Sequence, residues 1–222
     1  MLNRFRDRIE AGRVLAARLA EYANRRDVLV LGLPRGGVPV AYEVARELGV
    51  PLDVFVVRKL GMPGHEEYAI GAIATGGVRI INEEAVRTFG ITDAEIEAVT
   101  AEEQLELERR ERRYRDSREP PAIAGKTVIL VDDGLATGST MRAAVEALRQ
   151  EGPARIVVAV PTAAPETCEE IAAHVDEMIC AMTPEPFYAV GLWYEDFGQT
   201  SDEEVHDLLA LAEAAAHGGS RR

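Results

Sequence analysis

The chain has 222 residues, 47% of them hydrophobic and 28% charged, enough to bury one α/β core and too few for two independent domains. Its 38 acidic and 25 basic residues leave a net charge of −13, which argues against nonspecific binding to nucleic acid or to an anionic membrane, since both need clustered Lys and Arg. The charged N-terminus MLNRFRDRIEAGR, and the lack of any apolar run near the ~18 residues of a membrane span, predict a cytoplasmic protein without signal peptide or anchor.

Phe5 to Asn24 sets Ile9, Val14, Leu15, Leu19 and Tyr22 among Arg and Glu, the pattern of an amphipathic helix with a solvated charged face. Asp27 opens the apolar VLVLGL, a short buried strand, after which Pro34, Arg35, Gly36 and Gly37 turn the chain into a helix from about Pro39 to Leu48. Two glycines beside an Arg at a helix start let an anion approach the backbone, although an isolated PRGG reads better as a tight turn with an exposed Arg. Gly49 and Pro51 end the helix, and Leu52 to Val57 form a strand closing on Arg58 and Lys59, two cations suited to a polyphosphate. In LGMPGHEEYAIG, the closely spaced Gly61, Pro63 and Gly64 predict an irregular loop over 60–69, with His65, Glu66 and Glu67 mostly loop surface. Ile70 to Ile81 reads as paired strands around Thr75-Gly76-Gly77.

The capping box TDAE starts a helix from Thr92 to about Arg118. Its interleaved Glu and Arg read either as a solvated face or as a platform from which Arg113 or Arg115 leans over a site. Val128 to Val131 then form a buried strand stopping at Asp132 and Asp133, and Gly134, Ala136, Thr137, Gly138, Ser139 and Thr140 lead into a helix from Met141 to Arg149. A nest of amides after two carboxylates suits a ligand with a phosphate and vicinal hydroxyls, as in ribose 5-phosphate. GLATGST lacks the spacing and Lys of a P-loop, and a phospho-accepting receiver domain needs no such nest.

Arg155 to Val160, a helix from Glu166 to His174 and a strand from Met178 to Ala181 complete a doubly wound, mostly parallel α/β sheet with its ligand at the topological switch point. Cys168 and Cys180 have neither metal-ligand spacing nor the pattern of a secreted scaffold, which predicts buried free thiols and a reducing compartment. The tail gathers Phe187, Tyr188, Trp193, Tyr194 and Phe197, and Ser201-x-x-Glu204 caps a last helix to about Ala216.

VILVDDGLATGST resembles the PRPP-binding motif of the type I phosphoribosyltransferases, and PRGG resembles their pyrophosphate loop, whose non-proline cis peptide, where present, falls here at Pro34–Arg35. The resemblance implies one domain over 1–222, with a helical insertion at about 92–118, a hood at about 182–200 and a mobile catalytic loop at LGMPGHEE. It further implies transfer of ribose 5-phosphate from PRPP to a nitrogen base, with Mg²⁺ held mainly by PRPP and no dedicated protein cage. Asp132 and Asp133 would hold the ribose hydroxyls, and Ala136, Thr137, Gly138, Ser139 and Thr140 the 5-phosphate. Arg35, Gly36, Gly37, Arg58 and Lys59 would take the pyrophosphate, with Lys59 counted among the catalytic residues. Tyr188-Ala189-Val190-Gly191 is similar to the family's base-stacking stretch and makes Tyr188 and Trp193 candidates for the base, with core or interface packing as the other reading. Ala136 stands where the 6-oxopurine enzymes have a third Asp, which disfavours hypoxanthine and guanine. A homodimer is expected, and a noncatalytic PRPP or nucleotide sensor on the same fold is the alternative function.

Overall fold

The computed structural model describes residues 4–116 and 118–218. Five apolar runs form a wholly parallel sheet: β1 (Val28–Gly32), β2 (Leu52–Val54), β6 (Thr127–Val131), β7 (Arg155–Thr162) and β8 (Glu177–Met182), in the order β2-β1-β6-β7-β8. Three further strands, β3 (Val57–Met62), β4 (His65–Ala74) and β5 (Val78–Ile81), make a small antiparallel sheet.

Side chains alternate across a strand, so the main sheet buries two faces at once. Val28, Val30, Ile129, Val131, Val157 and Ala159 pack with α1 (Arg8–Arg18) and α2 (Gly37–Leu48). Leu29, Leu31, Val128, Leu130, Val158 and Val160 pack with α5 (Ser139–Gln150) and α6 (Pro165–Ala172). Each fully buried Val or Leu contributes about 1.5–3 kcal/mol, so the uninterrupted apolar runs of β1 and β6 make them the centre of the sheet. From β1 the chain winds outward to β2, and from β6 it winds the other way through β7 to β8. The crevice between the carboxyl ends of β1 and β6 is therefore the switch point.

The strand expected over Leu52 to Val57 is split, with β2 ending at Val54 and β3 opening the second sheet at Val57, and other readings differ as well. Helix α1 begins only at Arg8, where the Asp7 side chain accepts from the Glu10 N–H at 2.8 Å, because the backbone of Phe5 and Arg6 is bonded to the hood at Trp193, Glu195 and Asp196. The stretch 60–69 is no irregular loop: it belongs to an antiparallel hairpin turning at Pro63-Gly64, and the ladder absorbs Gly61 through register shifts on either side of it. Cys168 and Cys180 are not free thiols but a disulfide joining α6 to β8, with S–S 2.12 Å, since the packing of that helix brings together two positions 12 residues apart. The expectation of a reducing compartment loses its basis with them.

The charged segment is α4 (Asp93–Arg115), started by the expected Thr92–Glu95 capping box. Its apolar positions Ile96, Leu107 and Tyr114 join Val205 and Leu209 of α7 (Asp202–Gly218) over the small sheet. A short helix, α3 (Glu83–Phe89), precedes it. No helix among the described residues is long and apolar enough to cross a membrane.

Arg115 does not lean over the crevice. It is 3% exposed, and its guanidinium reaches Asp53 at 2.9 Å, Glu111 at 2.9 Å and the Val54 carbonyl at 2.6 Å, tying α4 to the edge strand β2. Burial raises the Asp53 carboxyl and the charge of Arg115 opposes that rise. Arg115→Ala leaves a buried carboxylate unpaired and is expected to cost about 3–5 kcal/mol in denaturant unfolding. Arg112→Ala, at a side chain 72% exposed, is expected to change stability little in the same measurement.

Candidate active site

At the end of β1 the chain passes through a cis Pro34–Arg35 peptide, at the expected position, into Gly36 and Gly37. Neither glycine has a positive φ; both are required by close approach. A Cβ on Gly36 would lie 2.0 Å from Asp133 Oδ2, and one on Gly37 would lie 2.7 Å from the Val131 carbonyl oxygen. The PRGG turn thus lies directly on the acidic pair ending β6. Two helix N-termini flank it, because Gly36 caps α2 and Gly138 caps α5 and neither has a side chain to satisfy the first-turn amides.

The loop from Gly134 to Gly138 is held from below. Thr167 of α6 donates its hydroxyl to the Ala136 carbonyl at 2.6 Å, and Gly138 adopts φ +66° where a side chain would meet Thr167 Cγ2 at 2.6 Å. Lys59 Nζ bonds Ser139 Oγ at 2.7 Å, which sets the lysine against the start of α5, the stretch expected to take the 5-phosphate. Arg58, its neighbour on β3, bonds Glu103 of α4 at 2.6 Å. Consecutive strand residues point to opposite faces, so these two cations do not act as a pair at a strand end; they lie inside β3.

Asp132 is half-buried, and desolvation, then the neighbouring Asp133 charge, raises its carboxyl well above the ordinary range. Burial also raises Asp133, opposed by the charge and hydrogen bonds of Arg8, whose Nε and Nη2 meet Oδ2 at 2.9 and 2.8 Å. Above the pair sits part of the stretch expected to form a hood, from Val190 to Gln199. Tyr194 donates its hydroxyl to the Asp133 carbonyl at 2.6 Å, and Arg8 lies 4.0 Å over the Phe197 ring. A cleft of about 500 Å³ opens between hood and turn, lined by Arg8, Arg35, Asp133, Val190, Phe197 and Gln199.

Of the two base candidates, Trp193 is 6% exposed and packs on Phe187 at 6.2 Å between ring centroids, whereas Tyr188 is 79% exposed. The core reading therefore holds for Trp193. Arg113 bonds Asp202 at 3.3 Å, and Arg35 approaches the same carboxylate at 3.8 Å, which links α4 and α7 to the PRGG turn. Arg8, Thr167, Tyr194, Phe197 and Asp202 escaped the sequence reading. Arg8 looked like one charge on a solvated face, and only the aromatic density of the tail pointed toward Tyr194 and Phe197.

The raised Asp132 carboxyl fixes the sign of a pH effect. A carboxyl that binds its proton more tightly in the fold than in the unfolded chain favours folding below the ordinary carboxylate pKa of about 4, and that contribution is lost as pH rises through the raised folded value. Asp132→Asn, which keeps the Oδ1 that accepts the Asp133 N–H at 2.8 Å, removes the burial of charge. The variant is expected to be more stable than the unaltered chain at pH 7, by a margin that shrinks toward pH 4. Urea unfolding across that range checks it, and a pH-independent difference counts against it.

Residues 2–191 match the family model described as phosphoribosyl transferase domain. The Mycobacterium tuberculosis protein Rv0571c, named as a candidate phosphoribosyl transferase, is 47% identical over 208 residues, covering 94% of this chain and 47% of that protein. The chain therefore spans about half the length of the curated relatives it matches first. The bifunctional protein PyrR of Chloroflexus aurantiacus is 35% identical over 129 residues, 57% of this chain and 65% of its own. The crystal structure of TT1426 from Thermus thermophilus is similar with a TM-score of 0.82 and 47% identity, covering 93% of this chain and 97% of that one. By the extent of the family match and by the agreement in fold, the chain belongs to the phosphoribosyl transferase domain family.

Proposed function

We propose that the chain transfers ribose 5-phosphate from PRPP to a nitrogen base and releases pyrophosphate. One observation carries this reading: a glycine turn at a helix start lies against two half-buried carboxylates, and a second uncapped helix start follows them in the same crevice. That spacing suits a substrate with phosphate at one end, a diol in the middle and pyrophosphate at the other.

In this reading the amides of Ala136 to Thr140 and the ammonium of Lys59 hold the 5-phosphate. Asp132 and Asp133 accept from the ribose 2- and 3-hydroxyls, and their charge favours positive character at the anomeric carbon as its bond to pyrophosphate breaks. Arg35 and the amides of Gly36 and Gly37 take the departing pyrophosphate. Mg²⁺ would be held mainly by PRPP itself. When bound, it neutralises charge developing on the leaving group. Tyr188 is the ring available to stack on the base, and Ala136 offers nothing to take its proton.

The hairpin of β3 and β4 serves as lid in the same proposal, with Lys59 near its base and the Pro63-Gly64 turn at its tip. A homodimer belongs to it as well, supported by apolar side chains left at the surface such as Leu105, 67% exposed, and Phe89, 55% exposed. Sedimentation at micromolar concentration is expected to return twice the chain mass.

The decisive experiment is a screen of nucleobases with Mg-PRPP read as pyrophosphate release. At least one base is expected to release pyrophosphate, and Asp132→Asn with Asp133→Asn is expected to slow that release by about 10²-fold or more while phosphate still binds. Mg-PRPP binding without release for any base would put a noncatalytic sensor in place of the enzyme. Hydrogen exchange over 60–69 is expected to slow with Mg-PRPP and not with ribose 5-phosphate alone; equal protection by both would reject the lid.

A further inference from the structure

Arg8 occupies a place that helix energetics does not explain. It is the first residue of α1, where a cation opposes the helix dipole, yet its side chain is only 13% exposed. Its guanidinium is spent on three partners far along the chain. Nε and Nη2 both donate to Asp133 Oδ2, at 2.9 and 2.8 Å; Nη1 donates to the Gly198 carbonyl at 2.7 Å; and the plane lies over Phe197. A Cβ on Gly36 would also lie 3.3 Å from Nη2, so the PRGG turn packs on the same group.

The pattern at the carboxylate is uneven. Among the described residues Arg8 supplies every side-chain hydrogen bond to Asp133, and both fall on Oδ2, which leaves Oδ1 without a side-chain donor. A charged, forked contact of this kind fixes the rotation of the carboxylate as well as its charge. The platform beneath is firm. Helix α1 meets α2 at glycine distance, where a Cβ on Gly12 would stand 2.6 Å from Glu43 Cβ and 2.8 Å from the Val40 carbonyl oxygen.

From this geometry we infer that Arg8 is the positioning residue for ribose recognition: it holds Asp133 by Oδ2 so that Oδ1 is presented to a sugar hydroxyl. The inference rests on the proposed role of Asp133 and assigns the N-terminal helix a part in the site. Arg8 itself touches no reacting atom; it acts through the carboxylate.

The test needs no acceptor base. Binding of ribose 5-phosphate and of 2-deoxyribose 5-phosphate is measured by calorimetry for the unaltered chain, Arg8→Gln, Arg8→Lys, Asp133→Asn and Arg8→Gln combined with Asp133→Asn. A hydrogen bond to a charged group corresponds to a preference for the ribo sugar of about 10-fold or more in the unaltered chain. Arg8→Gln is expected to bring that ratio close to one, Arg8→Lys to restore part of it, and the double variant to match Asp133→Asn alone. A ratio unchanged in Arg8→Gln, or equal losses for both sugars, would overturn the positioning role and leave the transferase reading intact. Failure of the unaltered chain to bind either sugar phosphate would instead overturn the reading of the site itself, and this inference with it.

Discussion

The contact on which the rest depends is the one between the turn after β1 and the carboxylates after β6. A Cβ on Gly36 would lie 2.0 Å from Asp133, so no residue but glycine lets the two loops meet. That meeting is possible because β1 and β6 are neighbours running the same way in register, Gly32 opposite Val131. Both chains leave the sheet at one level, and each enters a helix whose first amides face the crevice. Parallel pairing at the switch point, rather than any single side chain, therefore sets the geometry of the site.

With a net charge of −13, the chain would have to hold an anion in this crevice by local means. Uncapped helix starts provide fixed partial charges without a mobile cation, and the few cations present are held by specific partners. Lys59 is on Ser139, Arg8 on Asp133, and Arg35 and Arg113 share Asp202. Such pairs order the arginines before a ligand arrives, so less conformational entropy remains to be lost on binding.

Placing two half-buried carboxylates side by side opposes stability. Desolvation and the neighbouring Asp133 charge raise Asp132, and Arg8 opposes the rise of both carboxyls but hydrogen-bonds Asp133. Arg115 shows the contrasting case, a buried charge that is fully partnered and serves only to fasten α4 to β2. The difference separates a site from a structural ion pair: in one the carboxylates keep acceptor capacity for a ligand, and in the other the hydrogen bonds are used up within the fold.

The sequence by itself determined whatever depends on neighbours along the chain. Apolar runs ending at glycine turns specified the parallel sheet, TDAE specified the start of α4, and DDGLATGST identified the acidic pair and the glycine loop that leads into α5, because strand burial, capping and turn chemistry act over a few residues. Only the tertiary structure decided contacts between distant segments. Arg8 meets a residue 125 positions away, Cys168 meets Cys180 through the packing of α6 on β8, and Lys59 turns to Ser139 while Arg58 turns to Glu103. The hairpin at 60–69 belongs with these, since a bulged ladder tolerates Gly61 once a partner strand is in place. A charged side chain carries no local mark of the partner it will find; that is set by which helices and strands pack together, and so by the fold as a whole.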